Sequence, residues 1–209
     1  MGEPALLTRR RGLVAMAGAG VSCALPSLLF AQSRASIADV ASLARFDPTR
    51  SSAVRLEGFY KPGDGGGGLF RFDPARPRGQ HDGGLVIAAG KRWTGALPDW
   101  FACRGLEGSG CWVREADDGI RFETFGARAE WRSPSDPGFD NSAAVTQAIA
   151  RASAAAIPIV WTEGVYGAAS AMRIVDARGA SIIEGAGPER CGIILTGHSP
   201  GIRFEGDPS

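Results

Sequence analysis

Lysine is almost missing from this chain of 209 residues: Lys61 and Lys91 are the only two, and arginine supplies the rest of the 23 basic side chains. Against 22 acidic residues they leave a formal charge of +1, so the clustered positive footprint of a nucleic-acid binder is absent. Histidine is equally scarce, with only His81 and His198. The two lie far apart, neither stands in a Ser or Cys nucleophile motif, and nothing completes a compact four-ligand zinc set with the cysteines. The sequence therefore assigns no metal site, no cofactor and no catalytic residue. The 30 glycines and 13 prolines lack the three-residue period of collagen, and a hydrophobic content of 44% argues against disorder. What the chain has in surplus is glycine, and hence turns. Its length suits one domain or two small ones.

Charge is also missing from Gly12 to Ala31, directly after Arg9, Arg10 and Arg11. A basic start, an apolar stretch and an exit of small residues are the parts of an export signal. Arg9 and Arg10 resemble the twin-arginine signal read by the export machinery of the bacterial inner membrane. Residues 1–31 are taken as this signal, with cleavage after Ala31 or, as an alternative, Ala35. Gly12, Gly18, Gly20 and Pro26 weaken the same stretch as a stable membrane anchor. Lipidation of Cys23 lacks the expected leucine three residues earlier, where Gly20 stands. The product is expected in the periplasm or outside the cell, and loss of Glu3 and three arginines leaves a formal charge of −1. That compartment permits disulfides. Cys103 and Cys111 bracket an excursion containing three glycines, which lets the chain turn back, so a local disulfide is expected there. Cys191 is left as a small buried hydrophobe.

Beyond the signal, residues 32–52 form a lead-in, with Ile37, Val40, Leu43 and Ala44 at helical spacing. Residues 53–118 are expected to form a small glycine-rich β module. Val54, Leu56 and Phe59 make one strand, Lys61 to Gly68 a long turn, Leu69 to Asp73 the next strand, and Gly84 to Ala88 a third. The glycines of this turn lead into a strand and not a helix, which excludes a phosphate-cradling loop, and Asp64 is assigned to the turn. Phe122 to Gly126 is read as another strand. Asp140 or Asn141 then caps a helix whose Ala144, Val145, Ala148, Ile149 and Ala152 share one face. From Ile157 short strands recur at Ile159–Trp161, Met172–Val175, Ser181–Ile183, Gly192–Leu195 and Ile202–Phe204, separated by turn clusters. Spacing of this kind fits a sandwich, a barrel or a parallel solenoid, and a helix before the array favours the solenoid, whose open end needs a cover.

These residues resemble a known family. Phe125-Gly-Ala, Asp140-Asn-Ser followed by Gln147-Ala-Ile149, Ile159 to Tyr166, and Ile182-Ile-Glu-Gly-Ala-Gly187 look like the start of the right-handed parallel β-helix of the pectate-lyase superfamily. The nearest branch holds rhamnogalacturonase-like and epimerase-like proteins and phage tailspikes. Gly58 to Phe70 is similar to the glycine-rich head module that precedes such helices. Two departures stand out: residues 128–138 replace a compact Gly-Asp-Gly turn, and Trp161-Thr162 replaces Leu-Pro.

The resemblance implies a mainly-β chain. After the head module, residues 119–209 would supply an N-terminal capping helix and about two coils of the β-helix. It also implies a longer protein, an exported polysaccharide lyase or glycoside hydrolase whose catalytic coils follow, so that this part is not catalytic alone. A non-catalytic carbohydrate-binding or spike-like β-helix is the alternative. The expected partner is a polysaccharide, acidic by the family's habit. An open last coil is an edge that favours association, a homotrimer included. Glu163, Asp176, Glu184, Glu189 and Glu205 include no pair set apart by spacing for hydrolysis. Of the five tryptophans, Trp131, in the polar segment 128–138, is the best candidate for stacking on a sugar ring.

Overall fold

The computed structural model describes residues 34–115, 119–161, 163–170, 172–175, 183–185, 187, 189–196 and 202–205. The signal assigned above, with Arg9, Arg10 and Ala31, lies outside the described residues. Among those described, no helix is long and apolar enough to cross a membrane.

The first part is a five-stranded sheet. Strand β1 (Ala35–Ile37) is followed by helix α1 (Val40–Arg45), then β2 (Ala53–Leu56), β3 (Gly68–Pro77), β4 (Val86–Ala88), helix α2 (Leu97–Phe101) and β5 (Ser109–Arg114). The spatial order is β1-β2-β3-β5-β4. β1 runs parallel to β2, and the other neighbours are antiparallel. The lead-in thus departs from the single helix expected of it. Asp39 stops the strand and caps α1, its carboxylate accepting the Ser42 N–H at 2.7 Å, so residues 35–37 are free to add to the sheet edge. Alternation along β5 separates two cores. Trp112 enters the main one with Leu43, Phe70 and Trp100, while Cys111 joins Val86 and Ala88 on the other face.

That alternation corrects the expected disulfide. Cys103 and Cys111 are both free thiols. Pairing of β5 with β3 and β4 turns the buried Cys111 toward the carbonyls of Arg76 and Pro77. Cys103 instead donates to the His81 carbonyl at 2.9 Å. The loop reverses as its glycines allow, but sheet register decides where each sulfur points.

Residues Phe122–Phe125 form a 3-10 turn and not a strand. Phe122 and Phe125, three apart, are both buried, which is the repeat of a 3-10 helix and not of a strand. The turn ends on Gly126 at φ 82°, where a Cβ would sit 2.7 Å from the Phe59 ring. Only glycine fits this close approach.

Helix α3 (Ser142–Ala155) buries Ala144, Val145, Ala148, Ile149 and Ala152, the face expected from their spacing. Six short strands follow: β6 (Ile159–Trp161), β7 (Gly164–Ala168), β8 (Met172–Val175), β9 (Ile183–Gly185), β10 (Cys191–Leu195) and β11 (Ile202–Glu205). β7 stands where the sequence suggested a turn. None of these pairs with its successor. Instead β6 pairs with β9, β7 with β10 and β8 with β11, all parallel, placing Ile159 beside Ile183, Gly164 beside Cys191 and Met172 beside Ile202. Each partner lies three strands downstream, since parallel neighbours need a long connection between them. Ile120 adds a parallel bridge to Ile159. No closed barrel is present among the described residues.

The main apolar core runs from the sheet through α3 to Ile159, Tyr166, Ala168 and Met172. Ile183 and Leu195, in register with buried Ile159 and Ala168, are exposed at 43% and 42%.

Candidate functional site

Asp64 builds the first wall of a cavity. Its carboxylate accepts N–H bonds from Phe59, Tyr60, Lys61 and Gly66 at 2.7–3.1 Å, closing the glycine turn as the sequence suggested. The turn lies against Glu123, so close that a Cβ on Gly65 would stand 3.1 Å from the Glu123 Cγ. Between them and the chain at 127–130 opens a cavity of about 280 Å3, lined by Tyr60, Lys61, Asp64, Glu123, Arg128 and Glu130 among others. Asp64→Ala leaves four N–H groups without their acceptor and is expected to cost about 2 kcal/mol. Urea unfolding measures this, and an unchanged midpoint would remove Asp64 from the turn's support.

Arg128 is held by two aromatic rings. Its guanidinium carbon lies 4.0 Å from the Tyr60 ring centre and 4.7 Å from that of Phe139, a geometry that attracts a cation to each ring face. The Tyr60 hydroxyl donates to the Gly126 carbonyl at 2.9 Å. Burial pushes Tyr60 up to about 12, against the pull of Arg128, so it stays protonated at neutral pH. The buried Tyr166 donates its hydroxyl to Glu123 Oε1. Burial, then this bond, raises the Tyr166 phenol above its ordinary value.

Asn141, fully buried, ties this region to the parallel ladders. Its Nδ2 donates to the carbonyls of Arg128, Phe139 and Gly167, and its Oδ1 accepts the Arg128 N–H at 2.6 Å. Asp140 Oδ1 accepts from the Ser142 N–H and hydroxyl and from the Ala169 N–H, which joins the start of α3 to the end of β7. Burial raises the Asp140 carboxyl, but these bonds outweigh it and hold the group below its ordinary value.

The arrangement offers fixed donors and acceptors to a small polar ligand. It holds no histidine, since His81 is buried in the sheet with both ring nitrogens engaged. Among the described residues no cluster of His, Cys, Asp or Glu could hold a metal ion. Glu163, one of the carboxylates considered for hydrolysis, is taken up by an exposed ion pair with Arg190. Trp131 is half-buried, its indole over Gly167 of β7 and its Nε1 covered without a partner. Trp100 and Trp112 are fully buried core residues. Apart from Asp64, the cavity residues carry no sequence signal, because residues 60–64 and 123–130 meet only in the folded chain.

Residues 36–98 match the model of the phage tail protein small four-stranded beta-sheet domain. The match spans β1 to β4, and β5 lies beyond it in sequence while inserting between β3 and β4 in space. Among solved structures, the chain is similar to the gp42 tailspike of Acinetobacter phage vb_AbaP_AS12, with 19% identity and TM-score 0.52 over 78% of this chain and 23% of that one. It is similar also to tailspike protein 2 of Escherichia coli O157:H7 bacteriophage CAB120, with 19% identity, TM-score 0.51, 75% of this chain and 17% of that one. The tailspike of Acinetobacter phage vB_ApiP_P1 gives 18% identity, TM-score 0.50, 73% and 22%. The chain spans about a fifth of the length of these tailspikes. No curated protein sequence matches it. The fold is tailspike-like.

Proposed function

We propose that this chain is the head module and the first two coils of an exported, polysaccharide-active parallel β-helix protein, with α3 covering the first coil. The observation that carries the reading is the order of parts. A sheet domain of the phage-tail type leads through α3 into three parallel ladders, each pairing one circuit with the next. Buried Ile159, Tyr166 and Met172 fill the space that stacked coils enclose. A right-handed winding follows the general hand of parallel crossovers. In this reading Arg9 and Arg10 direct export, cleavage follows Ala31, and Trp131 adds a stacking surface beside β7.

The enzyme type implied by the resemblance, a pectate-lyase-like or rhamnogalacturonase-like lyase or hydrolase, belongs to this proposal. So does the absence of catalysis from these residues, since the described carboxylates and aromatics assemble no reaction centre. The test starts from the chain expressed with its own N-terminus. Protein recovered from the periplasm is run through gels containing polygalacturonate, alginate or neutral dextran. Slower migration in the acidic gels, without release of reducing ends, is the expected result. Free migration in all three would discard the polysaccharide reading, and release of reducing ends would overturn the assignment of catalysis elsewhere.

A further inference from the structure

Lys61 and Arg128 line the same cavity, and neither belongs to an ion pair among the described residues. The Arg128 guanidinium is placed by the rings of Tyr60 and Phe139. A fork of donors fixed in advance loses little freedom when it meets a carboxylate. Lys61 stands exposed beside it. Two of the nearby carboxylates are committed to donors of the protein itself. Both Asp64 oxygens accept backbone N–H bonds, and Glu123 Oε1 takes the Tyr166 hydroxyl. Glu123 Oε2 and the exposed Glu130 remain as acceptors. At about 280 Å3 the space lies just below the about 300 to 1,000 Å3 of drug-sized ligand sites, and suits no more than one sugar ring.

We propose that this cavity binds a single carboxylate-bearing sugar residue, a hexuronate. Its carboxylate is held by Arg128 and Lys61, and its ring hydroxyls donate to Glu123 and Glu130. The inference rests on the polysaccharide reading above and adds to it the sugar class and the place. Tyr60, Arg128 and Glu123 come from the head module and from the segment that leads into α3, so the ligand would sit where these two parts join.

The test is an NMR titration of the full chain with sodium glucuronate, glucose and inorganic phosphate. Glucuronate is expected to bind at least roughly tenfold more tightly than either of the others, and more weakly at higher salt. Arg128→Gln is expected to weaken it roughly ten- to a hundredfold, the loss of a charge-assisted pair. Because Arg128 also packs between two rings, Lys61→Glu supplies a second variant on the exposed rim, with at least a roughly fivefold loss expected. Equal binding of glucose or phosphate, or unchanged binding in folded Lys61→Glu, overturns the assignment. Retention on acidic gels without glucuronate binding overturns the cavity and leaves the polysaccharide reading standing. Glucuronate binding that both variants weaken, in a chain that no gel retains, supports the cavity and removes that reading.

Discussion

Asn141→Asp is expected to destabilise the protein by about 4 kcal/mol at neutral pH, a large part of the 5–15 kcal/mol that holds a typical domain together. The wild-type side chain is fully buried and sends its amide hydrogens to the carbonyls of Arg128, Phe139 and Gly167. A carboxylate in the same place keeps the Arg128 N–H bond but turns a second oxygen toward three carbonyl oxygens. That is a buried charge without a donor, the costliest of the common substitution errors. Protonation restores one donor, so the deficit shrinks as pH falls toward 4. Asn141→Ala removes the charge problem and leaves the carbonyls unpaired, at an expected cost of about 3 kcal/mol independent of pH. Thermal unfolding of the three proteins at pH 7 and pH 4.5 measures both effects. If Asn141→Asp melts within a degree or two of wild type at pH 7, the residue does not carry the junction.

Acid weakens the sheet domain through His81. Its Nε2 donates to the Trp100 carbonyl at 2.6 Å and its Nδ1 accepts the Ala88 N–H at 3.1 Å, which is the bonding of a neutral ring. Burial holds the ring neutral down to about pH 4, against an ordinary value of 6.5. Between those values the unfolded chain binds the proton and the folded chain does not. Stability is therefore complete above pH 6.5 and is lost as pH falls toward 4, by about 3 kcal/mol for this residue alone. Asp82 acts in the opposite sense, because burial raises its carboxyl and the folded chain takes up that proton first. The net fall in melting temperature between pH 7 and pH 4.5 is expected to be roughly 5–10 °C. His81→Gln keeps a donor and an acceptor without titrating, and its melting temperature is expected to change much less over the same range. Equal slopes for the two proteins would show that the ring is not held neutral by the fold.

The elements readable in advance are those whose evidence is local. Helix α3 announced itself through five apolar positions on one face, and all five are buried. Asp64 could be placed because an aspartate within glycines has few roles other than closing a turn. β7 was missed because Gly164 and Gly167 carry no strand signal. Its buried residues, Tyr166 to Ala168, are apolar only in the company of the core they enter. The stretch from Phe122 to Phe125 misled for the reverse reason: its apolar residues fit two periods, and packing of Phe122 on Tyr166 and of Phe125 on Phe101 selected the shorter one.

From the sequence alone, then, came a mainly-β chain with a glycine-rich front part, one amphipathic helix and a run of short strands. These follow from side chains interacting with neighbours a few residues away, and such interactions are written in the order of residues. Tertiary structure decided the rest. It chose β9, not β7, as the partner of β6, left free the two thiols at the ends of a glycine-rich loop, and placed Arg128 between rings 68 residues before it and 11 after. Hydrogen-bond partners of strands and the surroundings of a charge depend on which distant segments burial brings together. No local pattern records that choice.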